Sequence, residues 1–152
     1  MDRPGRGTMP RVKSTPQFQA LLKTVPIFSS CTKKELDAIA AIIKEVDFEA
    51  GRTICREGES GVGLHVVVEG ETKVQIGGRT RRRLGPGSFF GEVALLDGGP
   101  RSATVIAETP VKTLAIPAWA FRSVIKTQPG LALKMLEEVC RRLRNANASL
   151  EG

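Results

Sequence analysis

Gly87-Ser88-Phe89-Phe90-Gly91-Glu92-Val93-Ala94-Leu95-Leu96-Asp97-Gly98-Gly99-Pro100-Arg101-Ser102-Ala103-Thr104-Val105 interrupts a series of alternating segments and carries the most informative chemistry of the chain. Gly91 followed by Glu92 and the apolar Val93 to Leu96 predicts one short helical turn, whose free backbone N–H groups and positive end suit an anion. Asp97 through Pro100 then turns the chain and returns Arg101, nine positions after Glu92, toward that turn. An arginine fork beside exposed amides matches the two outer oxygens of a phosphodiester. A carboxylate there repels the phosphate unless it accepts a hydroxyl hydrogen bond, so Glu92 and Arg101 together ask for adjacent phosphate and sugar hydroxyl. A Glu92–Arg101 salt bridge that merely closes a surface loop accounts for the same residues equally well.

Outward from this stretch the pattern is β on both sides. Val46 and Phe48, then Leu64, Val66 and Val68, then Thr72, Val74 and Ile76 alternate with polar or outward neighbours, the period of half-buried strands. Glycines at 51, 58, 61, 70, 77, 78, 85 and 87 punctuate them, a turn density suited to short antiparallel strands in a sandwich or barrel. Two more β segments follow, Ala103 to Ala107 and Val111 to Ile116, hinged at Glu108-Thr109-Pro110.

The outer regions are helical. Phe18, Leu21 and Leu22 share one face of a short helix over Thr15 to Thr24, which Pro26 stops, and Val25 to Phe28 makes an apolar elbow. Thr32-Lys33-Lys34-Glu35 fits a capping box and opens a helix from about Lys33 to Ile43. Pro117 fits the start of a helix with Trp119, Phe121, Val124 and Ile125, broken at Gln128-Pro129-Gly130. A longer helix begins near Leu131, with Leu136, Val139, Cys140 and Leu143 on one stripe. Leu136, Leu143 and Leu150 recur every seven residues, so this helix either packs on the barrel or pairs in a two-stranded homodimeric seam.

The chain has 152 residues and a formal charge of +7, enough for one domain and biased toward an anionic partner. Arg3, Arg6, Arg11, Lys13 and Lys23 against Asp2 place more than half of that excess before Val25. Residues 1–14, rich in Gly, Pro and Arg, read as a flexible basic arm, and 15–152 as the single domain. Cys31, Cys55 and Cys140 lack metal or disulfide spacing and read as small apolar fillers in a cytoplasmic protein. His65, the single histidine, lies opposite Leu64, Val66 and Val68 and is expected at a surface or interface. No apolar run reaches membrane-span length. Arg82 and Arg83, on adjacent strand positions, point opposite ways, so at most one faces a pocket.

The quoted stretch resembles the phosphate-binding cassette of the cyclic nucleotide-binding domain, carried by Phe90-Gly91-Glu92, Ala94-Leu95 and Pro100-Arg101-Ser102-Ala103, with Gly51, Gly58-Glu59, Gly70 and Gly87 in the family's order. The resemblance spans Val25 to Leu150. It implies an α+β, mainly β fold: an antiparallel jelly-roll barrel with N-terminal helices and two C-terminal helices. It implies that Glu92 accepts the ribose 2′-hydroxyl, that Arg101 clamps the cyclic phosphate, and that amides near Gly91, Ala94 and Ser102 complete the cradle. Val74, Leu84, Val93 and Ala103 are then apolar walls, Arg142 and Asn147 on the last helix are candidates for contacts to the base, and Arg82 is a ligand-binding candidate if it faces the pocket and not a solvated strand face. The ligand expected is cAMP, with cGMP the alternative, and neither catalysis nor a metal or other cofactor follows. The resemblance also implies that the phosphate draws in the cassette, that Leu95 or Leu96 relays the shift to the Phe121 helix, and that the last helix closes over the base. Nothing follows Gly152, so the expectation is a stand-alone sensor or one cut from a larger signalling protein, with no DNA-binding domain in this chain and an unknown effector protein. A small basic protein binding nucleic acid or a membrane surface is the reading of a different class.

Overall fold

A computed structural model describes residues 15–60, 63–97 and 99–151. The expected basic arm and the turn glycines Gly61 and Gly98 lie outside the described residues.

Local signals set the element ends. α1, Pro16–Lys23, starts where the Thr15 hydroxyl accepts from the Phe18 N–H, satisfying an orphan donor of the first turn. A 3-10 turn, Pro26–Phe28, forms the apolar elbow. α2, Lys33–Ala40, opens on the expected capping box, with Thr32 and Glu35 bonding reciprocally. It ends three residues before Ile43, because Lys44 already begins β1, Lys44–Phe48. Then come β2 (Thr53–Cys55), β3 (Gly63–Glu69), β4 (Thr72–Ile76), β5 (Arg79–Leu84) and β6 (Phe89–Phe90). The quoted stretch supplies α3, Glu92–Asp97, before β7 (Thr104–Ala107) and β8 (Val111–Pro117). α4, Ala118–Thr127, and α5, Pro129–Glu151, close the order.

The strands form two four-stranded antiparallel sheets, β1-β8-β3-β6 and β2-β7-β4-β5. β3 is buried on both faces, which explains its weak alternation. Leu64 and Val66 face outward with Leu114 and Ile116 onto Leu22, Phe28, Leu36 and Phe121 from the helices. Each such side chain taken fully out of water stabilises the fold by about 1.5–3 kcal/mol. Val67 points the other way, between the sheets, where Phe48, Ala107 and Val111 fill the sandwich.

His65 points between the sheets as well, which corrects its expected surface or interface position. It is 6% exposed, its Nδ1 lies 2.9 Å from Thr113 Oγ1, and its ring stacks on Phe90 with centroids 5.1 Å apart. Alternation within a strand buried on both faces cannot distinguish a solvent face from a second interior. Burial, with the nearby Arg101 charge adding to it, pushes the imidazole down to about 3.

α5 sits on the elbow through Leu131 and Met135, both buried. Lys134 reinforces the contact by donating to Glu35 Oε1 at 2.6 Å. Burial of Glu35 opposes its ionisation, but the Lys134 and Thr32 hydrogen bonds outweigh it and hold its pKa below the ordinary value. Cys31 is buried as a filler, whereas Cys140 is exposed and fills nothing. The Leu136–Val139–Leu143 stripe does not pack on the barrel: these residues are 62%, 41% and 60% exposed. Among the described residues no helix is long and apolar enough to cross a membrane.

Candidate functional site

A cavity of about 600 Å³ opens beside the second sheet, bounded by the β5–β6 turn, Gly91 and the 100–103 segment. Its wall is one row of cross-strand partners: Cys55 pairs with Val105, Val105 with Val74, and Val74 with Arg82. All four line the cavity. The row is apolar along its middle and carries an arginine at its β5 end.

Arg101 is held at the other side. Its N–H donates to the Glu59 carbonyl and its own carbonyl accepts from the Gly58 N–H, both at 2.8 Å. These bonds fix the backbone, so the side chain is directed by the fold rather than by its own preference. Arg101 is 7% exposed, and its Nη2 donates to the Gly63 carbonyl at 2.6 Å. Nε and Nη1 are buried with no hydrogen-bond partner among the described residues. A buried cation with two unsatisfied donors is costly unless an anion completes it. Burial holds the guanidinium pKa below its ordinary value, only partly offset by nearby Cys55. Burial also raises the Cys55 thiol, against the opposing pull of Arg101, so Cys55 is a neutral wall residue whose Sγ donates weakly to the Ala103 carbonyl at 3.8 Å.

Gly91 makes this arrangement possible. Its φ is +87°, and a Cβ there would land on Arg101 Nη1 and press on the Gly63 carbonyl oxygen. Only glycine takes that backbone conformation freely while leaving the guanidinium its place. The chain enters α3 directly afterwards, with the Leu95 N–H bonded to the Gly91 carbonyl.

A buried guanidinium with two donors unpartnered among the described residues, a glycine against it and an adjoining apolar wall are chemically complementary to an anion that carries an apolar body. A model of the cyclic nucleotide-binding domain matches residues 45–128, more than half of the chain. The chain belongs to the cyclic nucleotide-binding domain family. It is 37% identical over 126 residues to a CRP-like cAMP-activated global transcriptional regulator of Mycobacterium tuberculosis, covering 76% of this chain and 55% of that one. It is 36% identical over 129 residues to a cyclic nucleotide-gated potassium channel of Mesorhizobium japonicum, covering 85% and 36% respectively. The chain thus spans about half or less of the length of these two relatives. The solved N-terminal domain of a transcriptional regulator from Streptomyces coelicolor superposes with a TM-score of 0.77 at 34% identity, over 85% of this chain and 93% of that domain. The two facing sheets and flanking helices are the jelly-roll fold of this family, as expected.

Within the family frame the fold gathers most of the expected residues. Gly91, Arg101, Ser102, Ala103, Val74, Leu84 and Arg82 all line the cavity. Glu92, Val93 and Ala94 lie on α3, directly after the lining residue Gly91, but their side chains fall outside the described residues. Arg142 and Asn147 do not line it: Arg142 Nε donates to Glu138 at 3.0 Å, and Asn147 is exposed on α5. Of the two adjacent strand arginines it is Arg82 that faces the cavity, while Arg83 crosses to Glu108 at 2.8 Å. Sequence reading missed Cys55, Val105, Phe89 and Phe90 as lining residues. Val105 was legible, since it alternates with Ala103; Cys55 sits on a three-residue strand too short to show a period.

Proposed function

We propose that this chain is the sensor domain of a signalling protein that captures a cyclic nucleotide, with cAMP favoured, and converts capture into movement of α5. The observation that carries the reading is Arg101, buried with Nε and Nη1 unpartnered among the described residues in front of a cavity of nucleotide size. Its fork suits the two outer oxygens of a cyclic phosphate. Glu92 accepts the ribose 2′-hydroxyl, backbone amides near Gly91, Ala94 and Ser102 complete the cradle, and Val74, Leu84, Val93 and Ala103 bracket base and sugar. Relatives named for cAMP support the choice of ligand. The domain works by binding and not by catalysis, in the cytoplasm.

Capture biases a closed state only through the nucleotide's preference for it. Leu95, fully buried with Phe121 in the helical core, carries the cassette's displacement into α4. α5 follows, bringing Arg142 and Asn147 toward the base. The exposed Leu136, Val139 and Leu143 stripe supports a second role for α5, pairing with its copy in a homodimer.

Thermal denaturation with and without cAMP tests the reading. At about a hundred times its Kd the nucleotide stabilises the fold by roughly 2.7 kcal/mol, and the melting temperature rises. An unchanged melting curve at millimolar cAMP overturns it.

A further inference from the structure

The nucleotide reading gives Cys55 no task beyond filling the wall, yet its thiol stands where a small molecule meets it. The fold gives the three cysteines of the chain three different environments. Cys31 is sealed in the helical core, where burial pushes its thiol up to about 11. Cys140 is exposed on α5, away from the cavity lining. Cys55 is half-buried and lines the cavity from β2.

The backbone brings Arg101 to this thiol from two directions. Cys55 Sγ approaches the carbonyl of Ala103 at 3.8 Å, two residues along the chain from Arg101. On the other side the Gly58 N–H, three residues beyond Cys55, bonds the Arg101 carbonyl at 2.8 Å. Arg101 is 7% exposed, its Nε and Nη1 have no partner among the described residues, and Nη1 lies against Gly91, itself a lining residue. The place beside Cys55 therefore calls for an anion, whatever body that anion carries. Arg82 adds a second cation to the wall, and no described lining residue is acidic. With the Glu92 carboxylate that the nucleotide reading places there, cations still outnumber anions.

An anion seated on Arg101 has a sulfur for a neighbour. We infer that Cys55 is a modification site for small anionic disulfides, and that the resulting mixed disulfide closes the cavity to cyclic nucleotide. The second half of this rests on the nucleotide reading above; the exchange itself does not. Cys55 gives up its thiol proton, its sulfur attacks one sulfur of the disulfide, and the S–S bond of the reagent breaks as the new one forms. The departing half takes up a proton and leaves as a thiol, so Cys55 is oxidised and that half reduced, and small thiols reverse the exchange. Burial keeps Cys55 protonated at rest, which slows attack on a reagent met in passing. Residence of the anion on Arg101 offsets that by holding sulfur near sulfur. The retained half then occupies the Arg101 donors that a cyclic phosphate needs.

The folded chain, and the same chain unfolded in urea, are treated with dithiodiglycolate, a dianion, or with cystamine, a dication of similar size, and labelling of Cys55 is followed by peptide mass mapping. The unfolded chain sets the intrinsic reactivity of each reagent. Relative to it, the folded chain favours the dianion over the dication at Cys55 by at least about tenfold, the scale of electrostatic focusing in a charged cleft. Saturating cAMP slows the labelling, the labelled chain loses cAMP binding in calorimetry, and dithiothreitol restores it. In Cys55→Ser, treatment leaves the variant's own cAMP affinity unchanged, which separates Cys55 from Cys140. A folded chain in which Cys55 stays unlabelled, shows no preference for the dianion, or is labelled without loss of cAMP affinity overturns the inference. An untreated chain that binds no cAMP but keeps the dianion preference supports the thiol site and overturns the nucleotide reading.

Discussion

Replacing Arg101 with Met separates the requirements of binding from those of folding. Met fills a similar volume without polar hydrogens. In the ligand-free protein the substitution removes two buried, unpaired donors, Nε and Nη1, each costing about 1–3 kcal/mol. It also breaks the 2.6 Å bond from Nη2 to the Gly63 carbonyl, a charge-assisted contact worth about 1.5–3 kcal/mol. The balance runs from about 1 kcal/mol against the variant to about 4.5 kcal/mol in its favour. For a chain of this size each kcal/mol moves the melting temperature by roughly 2–4 °C. With cAMP the effect is a loss. Loss of the charge-assisted fork to the cyclic phosphate costs about 2–4 kcal/mol, roughly 30- to 1,000-fold in Kd. Thermal melting without nucleotide and calorimetric titration with cAMP read the two halves independently. An Arg101→Met protein that melts more than about 6 °C lower, roughly 2 kcal/mol of lost stability, shows the guanidinium to be structural. One that binds cAMP as tightly as the parent removes Arg101 from the site.

Two further outcomes follow from the same geometry. The unfolded chain takes up a proton on His65 below its ordinary value of 6.5, but the folded chain does so only near about 3. Stability is therefore intact above pH 6.5 and falls as the pH drops, by up to about 1.4 kcal/mol per unit; urea midpoints at pH 7 and pH 5 should show this decline, and His65→Met should flatten it. Leu143→Glu, at a residue 60% exposed, should leave the melting temperature within about 1–2 °C, the scale of a surface substitution, yet shift the sedimentation coefficient from dimer to monomer. A chain already monomeric at high micromolar concentration contradicts pairing through α5.

The parts of the fold that were legible in the sequence share one property: their signals are local. The Thr32–Glu35 capping box, the alternation in β4 and β8, and the glycine and arginine of the cassette each fix structure within a few residues. The misreading of His65, and the positions that the sequence left open or missed, concern environments set by distant segments. His65 alternates correctly, but β3 is covered by helices on one face and by the second sheet on the other, so both faces are interior. The α5 stripe has helical spacing, but the elbow takes Leu131 and Met135 and leaves Leu136 and Leu143 in solvent. Cys55 enters the cavity wall because β2 pairs with β7 there, a register that its three-residue strand does not specify alone. Arg82 was separable from Arg83 only through Glu108, whose position follows from the β7–β8 connection.

The central claim is that Arg101 and the cassette are shaped for a cyclic phosphodiester. Isothermal titration of the unaltered chain with cAMP and, side by side, with 5′-AMP tests it most directly, since the two share base and sugar and differ in the ring. The account predicts saturable binding of cAMP with an affinity at least about tenfold above that of 5′-AMP, a difference of about 1.4 kcal/mol or more. Equal affinity for the two, or no heat with cAMP, contradicts it.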